Sequence, residues 1–150
     1  ASRTNNMTIF ERIKKLNLPN NEYVVVGGAM EAHGIRNARD IDIVVTKKLF
    51  NELSKARKWD KYVVYQEYSY GIKKIMHSDE LDVISHYSFE DKYYCPIEEL
   101  ITGADVIEGI SFVSLHELLK WKKACAREKD LKDVILIEDF LKNGYYAKQK

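Results

Sequence analysis

Residues 26–45 read VGGAMEAHGIRNARDIDIVV, and this stretch sets the expected fold. It follows the apolar run Tyr23-Val24-Val25 and ends in Ile43-Val44-Val45, two β-branched runs of the kind that fill buried strands. Between them lie Gly27-Gly28 and a short segment closed by Gly34. The pattern predicts strand, glycine turn, short helix, strand. A glycine turn after a strand lets backbone N–H groups approach an anion, and the start of the following helix favours negative charge. Asp40 and Asp42 stand at i and i+2 as the second strand opens, so both carboxylates point to one face. Like charges that close are unfavourable unless something neutralises them, and a divalent cation does so with oxygen ligands. A phosphate cradle beside a carboxylate pair points to phosphoryl or nucleotidyl transfer.

The same residues resemble the nucleotidyltransferase superfamily, the DNA polymerase β-like fold. The pattern is Gly27-Gly28, then His33-Gly34-Ile35-Arg36, then Asp40-Ile41-Asp42-Ile43. A later Leu81-Asp82-Val83-Ile84 fits the family's third carboxylate. Lys122 followed by Arg127-Glu128-Lys129-Asp130-Leu131-Lys132-Asp133 is similar to the Lys and Arg-x-Lys-Asp-x-x-Asp ending of small, toxin-type (AbiEii-like) members. The resemblance runs from about Tyr23 to Leu141. It implies an α/β (α+β) fold with a nucleotidyltransferase-type mixed sheet, helices packed on it and C-terminal helices. It also implies a donor nucleoside triphosphate and two divalent ions, Mg²⁺ or Mn²⁺, held by Asp40, Asp42 and Asp82, with Asp82 as general base. Gly27, Gly28 and Ala29 would meet phosphate. Where many members carry Ser near the second glycine this chain has Ala29, which removes one hydroxyl donor. Lys122 would reach the nucleotide phosphates, and Arg127 and Lys129 would brace that site or touch phosphate themselves. A solvent-facing helix with i,i+3 and i,i+4 charge pairs is the other reading of that segment. Arg36, in the loop before the Asp pair, would meet either a triphosphate or a carboxylate. Arg39 adds local positive charge.

Composition sets the outer bounds. The chain has 150 residues, enough for one core, so 7–150 is read as one nucleotidyltransferase-like domain, with 1–6 as an expression remnant or disordered segment. A net charge of +1 gives no global electrostatic case for nucleic acid or membrane, and no apolar run is long enough to span a bilayer. Cys95 and Cys125 lack metal-ligand spacing, and reduced thiols in a cytoplasmic protein are the simplest account. The four histidines, His33, His77, His86 and His116, show no metal spacing either. The ten tyrosines read mostly as half-buried strand residues, some of which could stack on a base or acceptor.

Further elements follow from periodicity. A helix is expected over Thr8–Leu16, and another, capped by Thr46, through about Lys58 with Leu49, Leu53 and Ala56 inward. Strands are expected at 62–65, 70–76 and 81–85, the last two antiparallel neighbours, which makes the sheet mixed. Pro96 starts a helix through Ile101, and a small hairpin spans 106–113. Ser114 caps a helix, with Glu117 completing a capping box. The last helix runs from about Glu128 to Lys142, presenting Leu131, Val134, Ile135, Ile137 and Leu141. If the last two helices run through, Lys122, Lys129 and Asp133 share one face.

The functional expectation is transfer of a nucleoside monophosphate from a nucleoside triphosphate to a hydroxyl, with release of pyrophosphate. The acceptor is left open among a small molecule, a protein side chain and an RNA end, with a homo-oligomer or a partner protein possible. The rival expectation is an inactive nucleotide-binding or toxin–antitoxin module of the same fold. A nucleic-acid-binding domain using the Lys120–Lys132 stripe is a third.

Overall fold

The computed structural model describes residues 7–38, 40–79 and 81–144. Residues 1–6 and Arg39, both given a reading above, lie outside the described residues.

The strands are β1 (Tyr23–Gly27), β2 (Asp42–Val45), β3 (Lys61–Tyr68), β4 (Gly71–His77), β5 (Asp82–Ile84), β6 (Tyr87–Phe89), β7 (Tyr93–Cys95), β8 (Asp105–Ile107) and β9 (Ile110–Phe112). The helices are α1 (Ile9–Lys14), α2 (Ala29–Ala32), α3 (Lys47–Ala56), α4 (Ile97–Thr102), α5 (Leu115–Cys125) and α6 (Glu128–Asp139), the last running into a π-helical turn, Phe140–Gly144.

Among the described residues seven strands form one sheet in the order β3-β4-β5-β2-β1-β9-β8. It is mixed: β2 pairs with β5 and β1 with β9 in parallel, while the other neighbours are antiparallel. Strands β6 and β7 form a separate hairpin that the sequence reading missed. The middle of the large sheet is its driest part. Val24, Val25, Ile43, Val44, Val83 and Phe112 are fully buried there, as β-branched runs sandwiched by helices must be. Among the described residues no helix is long and apolar enough to cross a membrane.

Local chemistry sets the helix starts. Thr8 and Glu11 form a reciprocal capping box on α1. Thr46 and Ser114 each accept the amide three residues on, capping α3 and α5. The box expected at Ser114 is only half formed, because the Glu117 carboxylate accepts from the Tyr93 hydroxyl and pairs with Lys120 instead. On α3 Leu49 and Phe50 are buried and Leu53 packs against the core, while Ala56 is exposed at the last turn.

The last helix starts at Glu128, as expected, and the two C-terminal helices are separate. They do not run through: Ala126 adopts a left-handed conformation (φ 53°, ψ 27°) and Arg127 an extended one, so the chain turns between α5 and α6. On α6 the buried residues are Asp130, Asp133, Val134 and Ile137, one stripe at helical spacing. Leu131 and Ile135, expected inward, are 48% and 67% exposed. The reason is electrostatic: α6 is rolled so that its two aspartates face Lys122 and Arg36, which turns Leu131 and Ile135 outward.

Candidate active site

The sheet register gathers the acidic residues. In the β1–β2 pair Gly27 lies opposite Asp42, and in the parallel β2–β5 pair Asp42 lies opposite Asp82. His77 on β4 is in turn opposite Asp82, and its Nδ1 sits 2.9 Å from Asp82 Oδ1. One row therefore crosses four strands: Gly27, Asp42, Asp82, His77. The sequence singled out His77 only as lacking metal spacing; the antiparallel pairing of β4 with β5 is what sets it against Asp82.

Gly27 is required by space. A Cβ on it would fall 1.8 Å from Asp42 Oδ1 and 2.9 Å from the Asp40 carbonyl oxygen. The missing side chain is what lets the Asp42 carboxylate lie against the β1 backbone, where amide hydrogen bonds from Gly27 and from Asp42 itself favour its charge. These do not prevail. Burial, and then the neighbouring Asp82 charge, push the Asp42 carboxyl from an ordinary 3.8 up to about 6. Gly28, at φ 138°, makes the turn into α2, and a Cβ there would press on Ile9. Asp40 is exposed on the loop leading into β2. That loop is pinned by Glu31, whose carboxylate accepts the Ala38 amide at 2.9 Å and the Ile9 amide at 3.0 Å. Glu31 thus ties α1, α2 and the Asp40 loop together, a role without an advance signal in the sequence.

The basic residues come from the other side of the fold. A cleft of about 910 Å³ is lined by Asp40, Asp42 and Asp82 together with Arg36, Lys122, Arg127 and Lys129. Gly27 and Gly28 also line it. Ala29 does not; its side chain is fully buried in the core. The expected shared helical face of Lys122, Lys129 and Asp133 is replaced by a contact across the helix–helix corner. Lys122, only 8% exposed, donates to Asp133 Oδ2 at 2.8 Å and lies 3.8 Å from Asp130 Oδ1. Asp133 also accepts a fork from Arg36, at 2.9 and 2.8 Å. Burial alone would raise the Asp133 carboxyl, but the Arg36 and Lys122 hydrogen bonds hold it down at about 2. Asp130 is 1% exposed and accepts from the Arg127 backbone amide and guanidinium, which starts α6. So Asp130 and Asp133 are buried braces rather than members of a solvated face, while Lys129 stands exposed on the cleft rim.

Among the described residues no group of three His, Cys, Asp or Glu side chains is drawn together closely enough to hold an ion as it stands. The donor chemistry nevertheless fits a divalent cation. Asp42 and Asp82 are hard oxygen donors on adjacent residues of paired strands, and their mutual repulsion is already visible in the raised Asp42 carboxyl. The Gly27 gap keeps one Asp42 oxygen clear of side-chain contact. Cys95 and Cys125 are free thiols, and His33 pairs with Asp105 on β8.

No protein-family model matches the chain, and no curated protein does. Among solved structures, the crystal structure of ANT(2")-Ia in complex with adenylyl-2"-tobramycin matches with a TM-score of 0.50 and 22% identity. The match covers 89% of this chain and 86% of that one. The fold is of the nucleotidyltransferase type. At this identity the likeness extends to the mixed sheet and its helices and leaves the chemistry to be argued from the site.

Proposed function

We propose that the protein is a metal-dependent nucleotidyltransferase that moves a nucleoside monophosphate from a nucleoside triphosphate to an acceptor hydroxyl. The observation that carries this reading is the register pairing of Asp42 with Asp82 beside a glycine that only a bare backbone can occupy. Two carboxylates held side by side in the sheet repel each other, and a cation between them would relieve that repulsion, which supports the metal reading.

Asp42 and Asp82, with Asp40 from the adjoining loop, would hold Mg²⁺ or Mn²⁺. Such ions offset charge on the phosphates and lower the pKa of an attacking hydroxyl. The acceptor oxygen attacks the α-phosphorus, the bond from that phosphorus to the β-phosphate oxygen breaks, and pyrophosphate leaves. Asp82 takes the acceptor proton, with His77 Nδ1 fixing the orientation of its carboxylate. The turn at Gly27 and Gly28 presents backbone to the triphosphate. Lys122, Arg127, Lys129 and Arg36 line the same cleft and supply positive charge to the phosphates. Lys122 and Arg36 are pre-positioned for this by Asp133.

For the acceptor, the structural likeness to a protein bound to an adenylylated aminoglycoside favours a small-molecule hydroxyl. The toxin-type resemblance of the Lys122–Asp133 segment keeps a protein side chain or an RNA end as the other acceptors to assay.

Thermal unfolding with each common nucleoside triphosphate, with and without Mg²⁺, tests the donor site. A ligand at about a hundred times its dissociation constant adds about 2.7 kcal/mol. A Mg²⁺-dependent rise in Tm, followed by transfer of α-phosphate label to an acceptor with pyrophosphate release, is expected. Binding without transfer to any acceptor class would favour the inactive-module reading, and no binding of any nucleotide would overturn the proposal.

A further inference from the structure

The cleft has an apolar wall that the transfer chemistry above does not use. It is formed by Trp121 and Leu118 of α5 and Leu136 of α6, beside Lys122 of α5 and Arg127 at the start of α6. Trp121 is the flat member of this wall and its orientation is fixed from behind. The indole Nε1–H donates to the Ser88 carbonyl oxygen at 3.1 Å. The buried Tyr87 ring stacks on the indole, with centroids 5.9 Å apart and an interplanar angle of 24°. With its only polar atom satisfied inside the protein, what the indole presents to the cleft is carbon. Two cations lie over the indole: Lys122 Nζ and Arg127 Cζ are each 5.7 Å from the ring centroid.

A flat apolar surface next to paired cations is complementary to one ligand shape in particular, a planar ring joined to a polyanion. Resting on the nucleotide reading above, we propose that Trp121 is the platform on which the base of the bound nucleotide stacks. The triphosphate lies on the side of Lys122 and Arg127, toward the glycine turn. Leu118 and Leu136 extend the apolar wall beyond the indole. Stacking is tolerant of base identity, because every base has a π-face, and larger rings cover more of the platform. Purine triphosphates are therefore expected to bind more tightly than pyrimidine triphosphates.

The test compares ATP with base-free ribose 5-triphosphate, each with Mg²⁺, by titration calorimetry. In the wild-type protein ATP binds more tightly by about 5- to 150-fold, the usual worth of one aromatic–base stack. Trp121→Ala removes this gap, the ratio of the two affinities being the readout because both ligands share the Lys122 and Arg127 contacts; Trp121→Phe keeps most of it. Because loss of the Tyr87 and Ser88 contacts could unfold the alanine variant, a second measurement leaves the platform intact. Trp59 is the other tryptophan, and its indole donates to the Leu53 carbonyl away from the cleft. In Trp59→Phe protein, ATP quenches the remaining Trp121 fluorescence and ribose 5-triphosphate does not. Equal affinity for the two ligands, or quenching by neither while both bind, overturns the platform and leaves the nucleotide site standing. Failure of both ligands to bind overturns the nucleotide reading and the platform with it.

Discussion

Replacing Asp42 with asparagine is expected to make the protein more stable at neutral pH. The Asp42 carboxyl has a folded-state pKa of about 6 against an ordinary 3.8, raised first by burial and then by Asp82. The folded state therefore holds this proton more tightly than the unfolded chain does. Between the two values the folded state binds more protons, so stability falls as pH rises through that window, and the full penalty persists above it. The gap of roughly two pH units, at about 1.4 kcal/mol each, comes to about 3 kcal/mol. The asparagine amide accepts more weakly from the Gly27 and residue-42 amides, and Asp42 keeps some contact with solvent. The net gain is thus about 1–3 kcal/mol, or about 3–9 °C in Tm for a chain of this size. The assay is thermal unfolding in EDTA at about pH 7.5 and again at about pH 4. At the lower pH the wild-type carboxyl is protonated when folded, and the advantage of the variant shrinks toward zero. Adding Mg²⁺ at neutral pH should stabilise the wild type and not the variant. A variant no more stable than wild type at pH 7.5, or an advantage unchanged at pH 4, would refute the charge-repulsion account of this site.

Three further substitutions separate site from scaffold. Gly27→Ala sets a methyl 1.8 Å from Asp42 Oδ1, so it should cost about 1–3 kcal/mol in unfolding experiments and abolish any Mg²⁺-dependent nucleotide shift. Asp133→Asn leaves buried Lys122 with Asp130 alone and should cost about 3 kcal/mol or more. The Asp133 carboxyl sits at about 2, below its ordinary 3.8, so its contribution is complete above the higher value and lost as pH falls through the lower. The difference between that variant and wild type should close in acid unfolding curves, the reverse of the Asp42→Asn trend. Ser114→Ala removes the α5 cap and should cost about 1 kcal/mol while leaving nucleotide binding unchanged.

What the sequence made legible was periodic or local. The β-branched runs at either end of the 23–45 stretch are strands, Thr46 and Ser114 cap helices, and the alternation of Asp40 and Asp42 is visible directly. Hidden from it was whatever depends on pairing between distant segments. That Asp82 lies beside Asp42 follows from the parallel β2–β5 register, which spacing alone does not dictate. The separation of α5 from α6 was legible, since a new helix is expected from about Glu128, but the left-handed turn at Ala126, a good helix former, had no local signal. The stripe through Asp130, Asp133, Val134 and Ile137 is half ionic, so hydrophobic periodicity alone picks the wrong face.

The buried pair Asp130 and Asp133 and the half-buried pair Asp42 and Asp82 make opposite use of the same chemistry. Asp130 and Asp133 are each met by a guanidinium and share Lys122, and Asp133 is held at about 2. Asp42 and Asp82 sit side by side in the sheet, and the field of Lys122 lowers the Asp42 carboxyl by less than burial and Asp82 raise it. Among the described residues no ion pair reaches Asp42, while His77 reaches Asp82. Both pairs face one cleft and Lys122 acts on both, so the contrast does not arise from different surroundings. Packing that neutralises two aspartates within the braces leaves Asp42 at about 6, with a carboxylate oxygen beside a glycine whose side chain would occupy its place. On the proposed function, a divalent cation arriving with a triphosphate would relieve that repulsion, so its binding would also relieve the cost of the Asp42 charge. The stability gained by Asp42→Asn and the Mg²⁺ response lost with it should therefore appear together in the same variant.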